Sequence, residues 1–226
     1  MRPGGPAREV AKRLTPEARR AQIIAVAERL FTTHPYGELG VPEVARALGI
    51  TSGLVYHYFP TKEALLVAAV EARARELLES CLPDAGLPVL EQIEHGVRGY
   101  FDYCEAHSLA YRNLLRGPTA SEPEVVRICE SARVAIVEHF VQAVGVASKG
   151  MPATRLALRA YMGFAEHAIV SWLEHKQVAR ATLENMCRTM MLTALRVGLS
   201  SDASSPSSAR QLALLEQACQ QRFSTT

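Results

Sequence analysis

Residues 41–66 read VPEVARALGITSGLVYHYFPTKEALL, and this stretch decides the fold. Its first eight residues place Val44, Ala45 and Leu48 on one face of a short helix. Gly49 stands where that helix ends, in a left-handed corner that glycine adopts most easily. Thr51 can cap a second short helix running to about Phe59, and Pro60 stops it. Tyr56, His57, Tyr58 and Phe59 then put three aromatics and a histidine in consecutive positions, more ring surface than so short a helix needs for a core. Four-residue spacing sets Val55 and Phe59 on one face, able to pack against the preceding helices, while Ser52, Gly53 and Tyr56 fall on other faces. A helix anchored on one side and open on the other, joined to its predecessor by LGITSG, has the shape of a helix-turn-helix. In such a unit the second helix enters the major groove of DNA and the first crosses the backbone.

The pattern from Thr15 to Leu66, with Ala45, Gly49, Gly53, Tyr56, Phe59, Lys62 and Leu65 at their spacings, resembles the DNA-binding region of TetR-type (tetracycline-repressor-like) transcriptional repressors. The rest of the chain is similar to that family only in length and helical layout. The resemblance implies that Tyr56 and Lys62 hold phosphates, Lys62 from a helix N-terminus where free N–H groups and the dipole favour an anion. It implies that Thr51 and Tyr58 touch the backbone, and that Ser52, Gly53, Leu54 and His57 face base edges. Leu54, being apolar, would meet a thymine methyl. Gly40 departs from the family's usual Ser or Thr at the cap of the second helix; a phosphate contact from that side chain is lost, although its backbone N–H remains available.

Working outward, Thr15-Pro16-Glu17 opens a first helix, with Ile23, Ala27, Leu30 and Phe31 at helical spacing, and HPYGELG forms a loop after it. Thr61-Lys62-Glu63 opens a fourth helix that lasts to about Leu82. Beyond it every periodic segment is helical: Leu90 to Ala106, Leu109 to Arg116, Glu122 to Val146, Ala153 to Lys176 and Ala181 to Leu199, with a last amphipathic piece at Gln211 to Gln221. The reading is all-α, about nine helices. Its divisions are a flexible basic arm (1–14), a DNA-binding helix-turn-helix unit (15–62), an effector-binding and dimerisation domain (63–200), and a Ser-rich linker with a tail (201–226).

Charge supports that division. Residues 1–75 carry 11 Lys/Arg against 7 Asp/Glu, and the remainder 14 against 16, so the basic excess lies on the segment that would meet a polyanion. No apolar run reaches the roughly 18 residues of a membrane span, and no secretory signal is present, so a cytoplasmic location is expected. The five cysteines (Cys81, Cys104, Cys129, Cys187, Cys219) are too scattered for a disulfide framework or zinc knuckle.

In the larger domain, MCRTMMLTALRVGL is apolar around most of its circumference, and Ala157, Ala160, Gly163, Ala168 and Ser171 form a run of small residues. Both features fit a homodimer through the last two long helices, packed as a four-helix bundle; a monomeric core is the alternative. Candidates for an effector pocket are the aromatics Phe101, Tyr111, Phe164 and Trp172. With them stand Cys104, Leu114, Leu115 and Met162, and the polar Glu166 and His167 that interrupt an apolar helix. His167 is expected to need a partner inside such a pocket, between the helices carrying Phe101, Tyr111 and Trp172. Four Glu-His dipeptides lack the i, i+3 or i, i+4 partner that a helical metal site requires, so no metal or cofactor is expected. GxSxG, P-loop and dinucleotide fingerprints are absent. The expectation is a ligand-responsive DNA-binding regulator acting on a palindromic operator, most simply a repressor. A helical enzyme, or a small-molecule binder without a sequence-specific DNA role, is the alternative.

Overall fold

The computed structural model describes residues 14–33, 40–144, 151–202 and 206–223. Nearly all of the basic arm, the loop at 34–39 and part of the Ser-rich linker fall outside the described residues. Among those described there is no strand, and there are ten α-helices. They are α1 (Pro16–Thr33), α2 (Val41–Leu48), α3 (Ser52–Tyr58), α4 (Lys62–Cys81), α5 (Val89–Ala106), α6 (Ser108–Arg116), α7 (Pro123–Ala143), α8 (Pro152–His175), α9 (Arg180–Ser201) and α10 (Pro206–Phe223). The count exceeds the expected nine because the C-terminal piece is a long helix, anchored by Leu215, which is buried against the main core. A 3-10 turn, Pro118–Ser121, follows α6 where only a chain break was expected.

Three apolar clusters organise these helices. Ile23, Val26 and Ala27 of α1, Val41, Val44 and Ala45 of α2, and Val55 and Phe59 around α3 close a small core over Leu65, Ala68 and Ala69 of α4. Burying a side chain such as Val55 (0% exposed) or Phe59 (2% exposed) contributes about 1.5–3 kcal/mol, enough to hold a seven-residue helix that would not persist alone. A second cluster joins Leu66 and Val70 of α4 to Val125 and Ile128 of α7. The main core lies among α5, α7, α8 and α9, with Leu77 and Leu78 of α4 packed against it. Helix α4 therefore contributes to all three.

Close backbone approaches fix how these helices sit. A Cβ on Gly99 would lie 1.8 Å from the Ser80 carbonyl oxygen, so α5 meets the end of α4 only because that residue is glycine. Gly198 plays the same part between α9 and Thr154 of α8. Asp202, at the end of α9, caps the start of α8: its carboxylate accepts from Ala153 N–H (3.2 Å), Thr154 N–H (2.9 Å) and the Thr154 hydroxyl (2.8 Å).

Candidate nucleic-acid interface and effector cavities

The α2–α3 corner follows from local chemistry. Gly49 has φ 65° and ψ 32°, and Ile50 N–H reaches back to the Ala45 carbonyl at 3.0 Å, closing α2 with a left-handed cap. Thr51 accepts from Leu54 N–H at 3.2 Å to start α3, and Thr61 accepts from Ala64 N–H at 3.0 Å to start α4. Val55 and Phe59 are buried as their spacing requires, with the Arg20 guanidinium 5.0 Å from the Phe59 ring centre. On the open side, Thr51, Gly53, Tyr56 and His57 are exposed, and Ser52, Leu54, Tyr58 and Lys62 are half-buried. Tyr58 rests on the small core while its ring meets that of His57 edge-on at 5.2 Å.

One expectation is corrected at this corner. The Gly40 N–H is not available to a phosphate, because it donates to the Glu43 carboxylate at 2.9 Å. With no side chain of its own to cap α2, Gly40 leaves that task to the acid three residues on. At the start of α4, Glu63 sits beside Lys62; its carboxyl lies below the usual range through a hydrogen bond from its own backbone N–H and one from Thr61. A phosphate arriving there meets both charges.

Among the described residues, cavities of about 40 Å³ each lie at two places in the larger domain. The one nearer the recognition helix along α4 is lined by Val70, Arg73, Ala74 and Leu77 of α4, Tyr100 and Tyr103 of α5, Tyr111, Leu114 and Leu115 of α6, Cys129, Arg133 and Ile136 of α7, and Met162 and Glu166 of α8. The other, farther along α4 from the recognition helix and in that sense the deeper, is lined by Cys81, Gly96, Val97, Phe140, Tyr161, Ala165 and Met191, and shares Tyr100, Ile136 and Met162 with the first. Of the residues expected to form a pocket, Tyr111, Leu114, Leu115, Met162 and Glu166 stand on these walls.

Phe101, Cys104, Phe164, His167 and Trp172 line neither cavity. Phe101 packs against Trp172, ring centres 5.9 Å apart, with Arg180 over the Phe101 ring and Lys176 over that of Trp172. The Trp172 indole N–H donates to the Val178 carbonyl at 2.8 Å, so this pair is core with a charged lid. Cys104 is fully buried beside the tyrosines, and Phe164 packs near Tyr161. His167 is exposed on α8, which removes the argument that it needs a partner inside a pocket. Gly163 is also exposed, and a Cβ there would meet nothing within 4 Å, so no side chain placed on it would fill a cavity. Adjacent residues on a helix differ by about 100°, and it is Tyr100, not Phe101, that turns to the cavities.

Polar groups complete the site: beside the expected Tyr111 and Glu166 stand Tyr100, Arg133, Arg73 and His107, which the sequence did not reveal. The Tyr100 and Tyr111 hydroxyls are 2.6 Å apart, and burial pushes both well above the usual tyrosine range, so they stay protonated. Arg133 holds Glu166 in a fork, at 2.7 and 3.0 Å. Arg73 reaches from the nearer cavity to the junction with α1. It donates to Glu76 (2.8 Å) and to Nδ1 of His107 (3.0 Å), while His107 Nε2 faces Glu76 at 3.0 Å. Its Nε lies 3.8 Å from the carboxylate of Glu28 on α1, whose pKa burial raises against the pull of Arg73. The Tyr103 hydroxyl donates to the Arg73 carbonyl at 3.1 Å. A Tyr-rich stretch, YFDYCEAHSLAY, was the available signal for α5 and α6; no spacing could have joined Arg133 to Glu166.

A glycine-cornered helix pair, anchored on one face and backed by a capped α4, defines a helix-turn-helix transcriptional regulator. Residues 23–69 match the bacterial regulatory proteins of the tetR family, residues 89–194 match the tetracyclin repressor-like C-terminal domain, and the chain belongs to the TetR family. It is similar to a tetR-family transcriptional regulator from Streptomyces coelicolor, whose crystal structure superposes with a TM-score of 0.77 at 26% identity over 90% of each chain. The transcriptional regulator EthR of Mycolicibacterium smegmatis is 29% identical over 97 residues, 42% of this chain and 45% of that protein. The transcriptional activator FasR of the same organism is 25% identical over 126 residues, 55% of this chain and 57% of that protein. The chain thus spans about half the length of the curated relatives it matches. No described helix is long and apolar enough to cross a membrane.

Proposed function

We propose that the protein is a homodimeric repressor, released from a palindromic operator by a small, mainly apolar effector bound in the cavities of its larger domain. Thr51, Tyr56, Tyr58 and Lys62 are assigned to the phosphate backbone, and Ser52, Gly53, Leu54 and His57 to base edges. The observation that carries the reading is the double role of α4. Its Leu65, Ala68 and Ala69 belong to the core under the recognition helix, while its Val70, Arg73, Ala74 and Leu77 form one wall of the nearer cavity. A molecule that enlarges the cavity must push that wall, and α4 carries the displacement to α3. The Arg73 network to Glu28 offers a second link to α1. The effector acts to the extent that it binds the displaced arrangement better.

Dimerisation through α8 and α9 is part of the proposal. Leu156 is 70% exposed on α8, beside Ala160 and Gly163, and Met186, Met190 and Val197 are exposed on α9. Because Gly163 has open space around it, Gly163→Glu should leave each protomer folded and split the dimer in sedimentation; a folded, intact dimer would remove this interface.

A mobility-shift assay with DNA flanking the gene, against random competitor, tests DNA recognition, and transcript levels in a deletion strain test its sign. Repression predicts a specific shift and raised transcripts. Lowered transcripts would favour activation, the second reading, which the activator FasR among the relatives supports.

A further inference from the structure

We infer that the two cavities are lobes of one elongated site, and that its ligand is an uncharged molecule with a hydrogen-bond acceptor at one end and an extended apolar tail. The inference rests on the effector reading above and names the chemical class of that effector. Tyr100, Ile136 and Met162 belong to both walls, so side chains and not backbone separate the lobes. Each lobe, at about 40 Å³, is small for an effector unless the two join. Met162, unbranched with three rotatable bonds, is the partition able to swing aside.

The lobes differ in chemistry. The deeper one presents carbon and sulfur almost throughout, with Val97, Phe140, Ala165 and Met191 around it; Tyr161, packed on Phe164, adds the one polar tip besides Tyr100. This lobe takes the tail. The nearer lobe gathers the polar groups, but both of its cations are already engaged. Arg133 is forked onto Glu166, and Arg73 is bonded to Glu76. The Arg73 Nε, buried without a hydrogen bond, already faces the Glu28 carboxylate at 3.8 Å, so an anionic head would compete with Glu166, Glu76 or Glu28 for these guanidiniums.

What the nearer lobe does offer is a proton. In the Tyr100–Tyr111 pair one hydroxyl donates to the other, which leaves the second hydroxyl hydrogen for another acceptor. Its neighbour is the Cys104 sulfur, a weak one. A carbonyl or ether oxygen entering the lobe would be a better acceptor than that sulfur, at no cost in charge.

The test titrates the full-length protein calorimetrically with 2-alkanones from 2-hexanone to 2-tridecanone, alongside carboxylates of equal length. Ketone affinity should rise about fourfold per methylene while the tail fills the deeper lobe. Ala165→Leu, which occupies that lobe, should cost the long ketones at least tenfold and leave the short ones unchanged. Met191→Phe, entering the same lobe from α9, gives the same readout if the first variant does not fold. The double variant Tyr100→Phe, Tyr111→Phe, which removes both hydroxyls, should weaken ketones of every length.

Equal loss at all lengths in the deeper-lobe variants would overturn the two-lobed site. Tighter binding of carboxylates than of ketones would overturn the uncharged head, and no ketone binding at any length would overturn both. The regulatory reading fails separately, if the ligand-free protein shows no specific DNA shift.

Discussion

Lys62 stands in the first turn of α4, next to the recognition helix and beside Glu63, and its phosphate contact is part of the proposal. Lys62→Ala should weaken binding to every DNA sequence alike and reduce the salt slope by about 0.9 per subunit. A salt titration with unchanged slope would take Lys62 out of the interface. Asp202 makes a residue-scale prediction about stability. Burial alone would raise its carboxyl, but hydrogen bonds from the Thr154 N–H and hydroxyl and the Ala153 N–H, with Arg155 nearby, leave it below the usual range. Such a group contributes stability above its unfolded value of about 3.9 and loses it as pH falls through the lower folded value. Asp202→Ala should therefore cost about 1–3 kcal/mol in denaturant unfolding at neutral pH, a difference that shrinks as pH falls below about 4. At this scale the helix-turn-helix was legible, because Val55 and Phe59 are fixed by a four-residue period and their burial follows. The cavity was only half legible. Which of Tyr100 and Phe101 faces inward depends on how α5 is rotated against α4, and that rotation is set by Gly99, far from either in chemical character.

Among the elements, α4 is the one on which the account turns, and its pivot is the contact with α5. Alanine is the better helix former by about 1 kcal/mol, so propensity alone would favour Gly99→Ala. Its methyl group, however, would lie 1.8 Å from the Ser80 carbonyl, and the helices must part. The variant should lose about 1–3 kcal/mol net and bind operator DNA with altered affinity, since α4 carries the core under α3. A melting temperature at or above that of the unaltered chain would contradict the close approach. Element positions were read well from Pro, Gly and Thr punctuation: α2 begins and ends where Gly40 and Gly49 place it, and α4 where Thr61 does. The 3-10 turn after α6 and the full length of α10 were not, because the first depends on how that turn packs against α7 and the second on the docking of Leu215.

For the whole molecule, the sequence disclosed a basic first third and an apolar ninth helix, but not the join between them. The helices are instead tied by pairs distant along the chain, such as Glu28 of α1 with Arg73 of α4 and Arg133 of α7 with Glu166 of α8, which no local period announces. The central claim is that two copies of the α2–α3 unit read DNA together. Binding-site selection from random duplexes with the full-length protein tests it most directly. The account predicts recovery of an inverted repeat whose half-sites lie about one helical turn, 34–36 Å, apart or a multiple of it. It further predicts that Leu54→Arg changes the half-site at particular base pairs, by about 1–3 kcal/mol each, while keeping the spacing. Recovery of no motif, or of the same half-site by the Leu54→Arg protein, would contradict it.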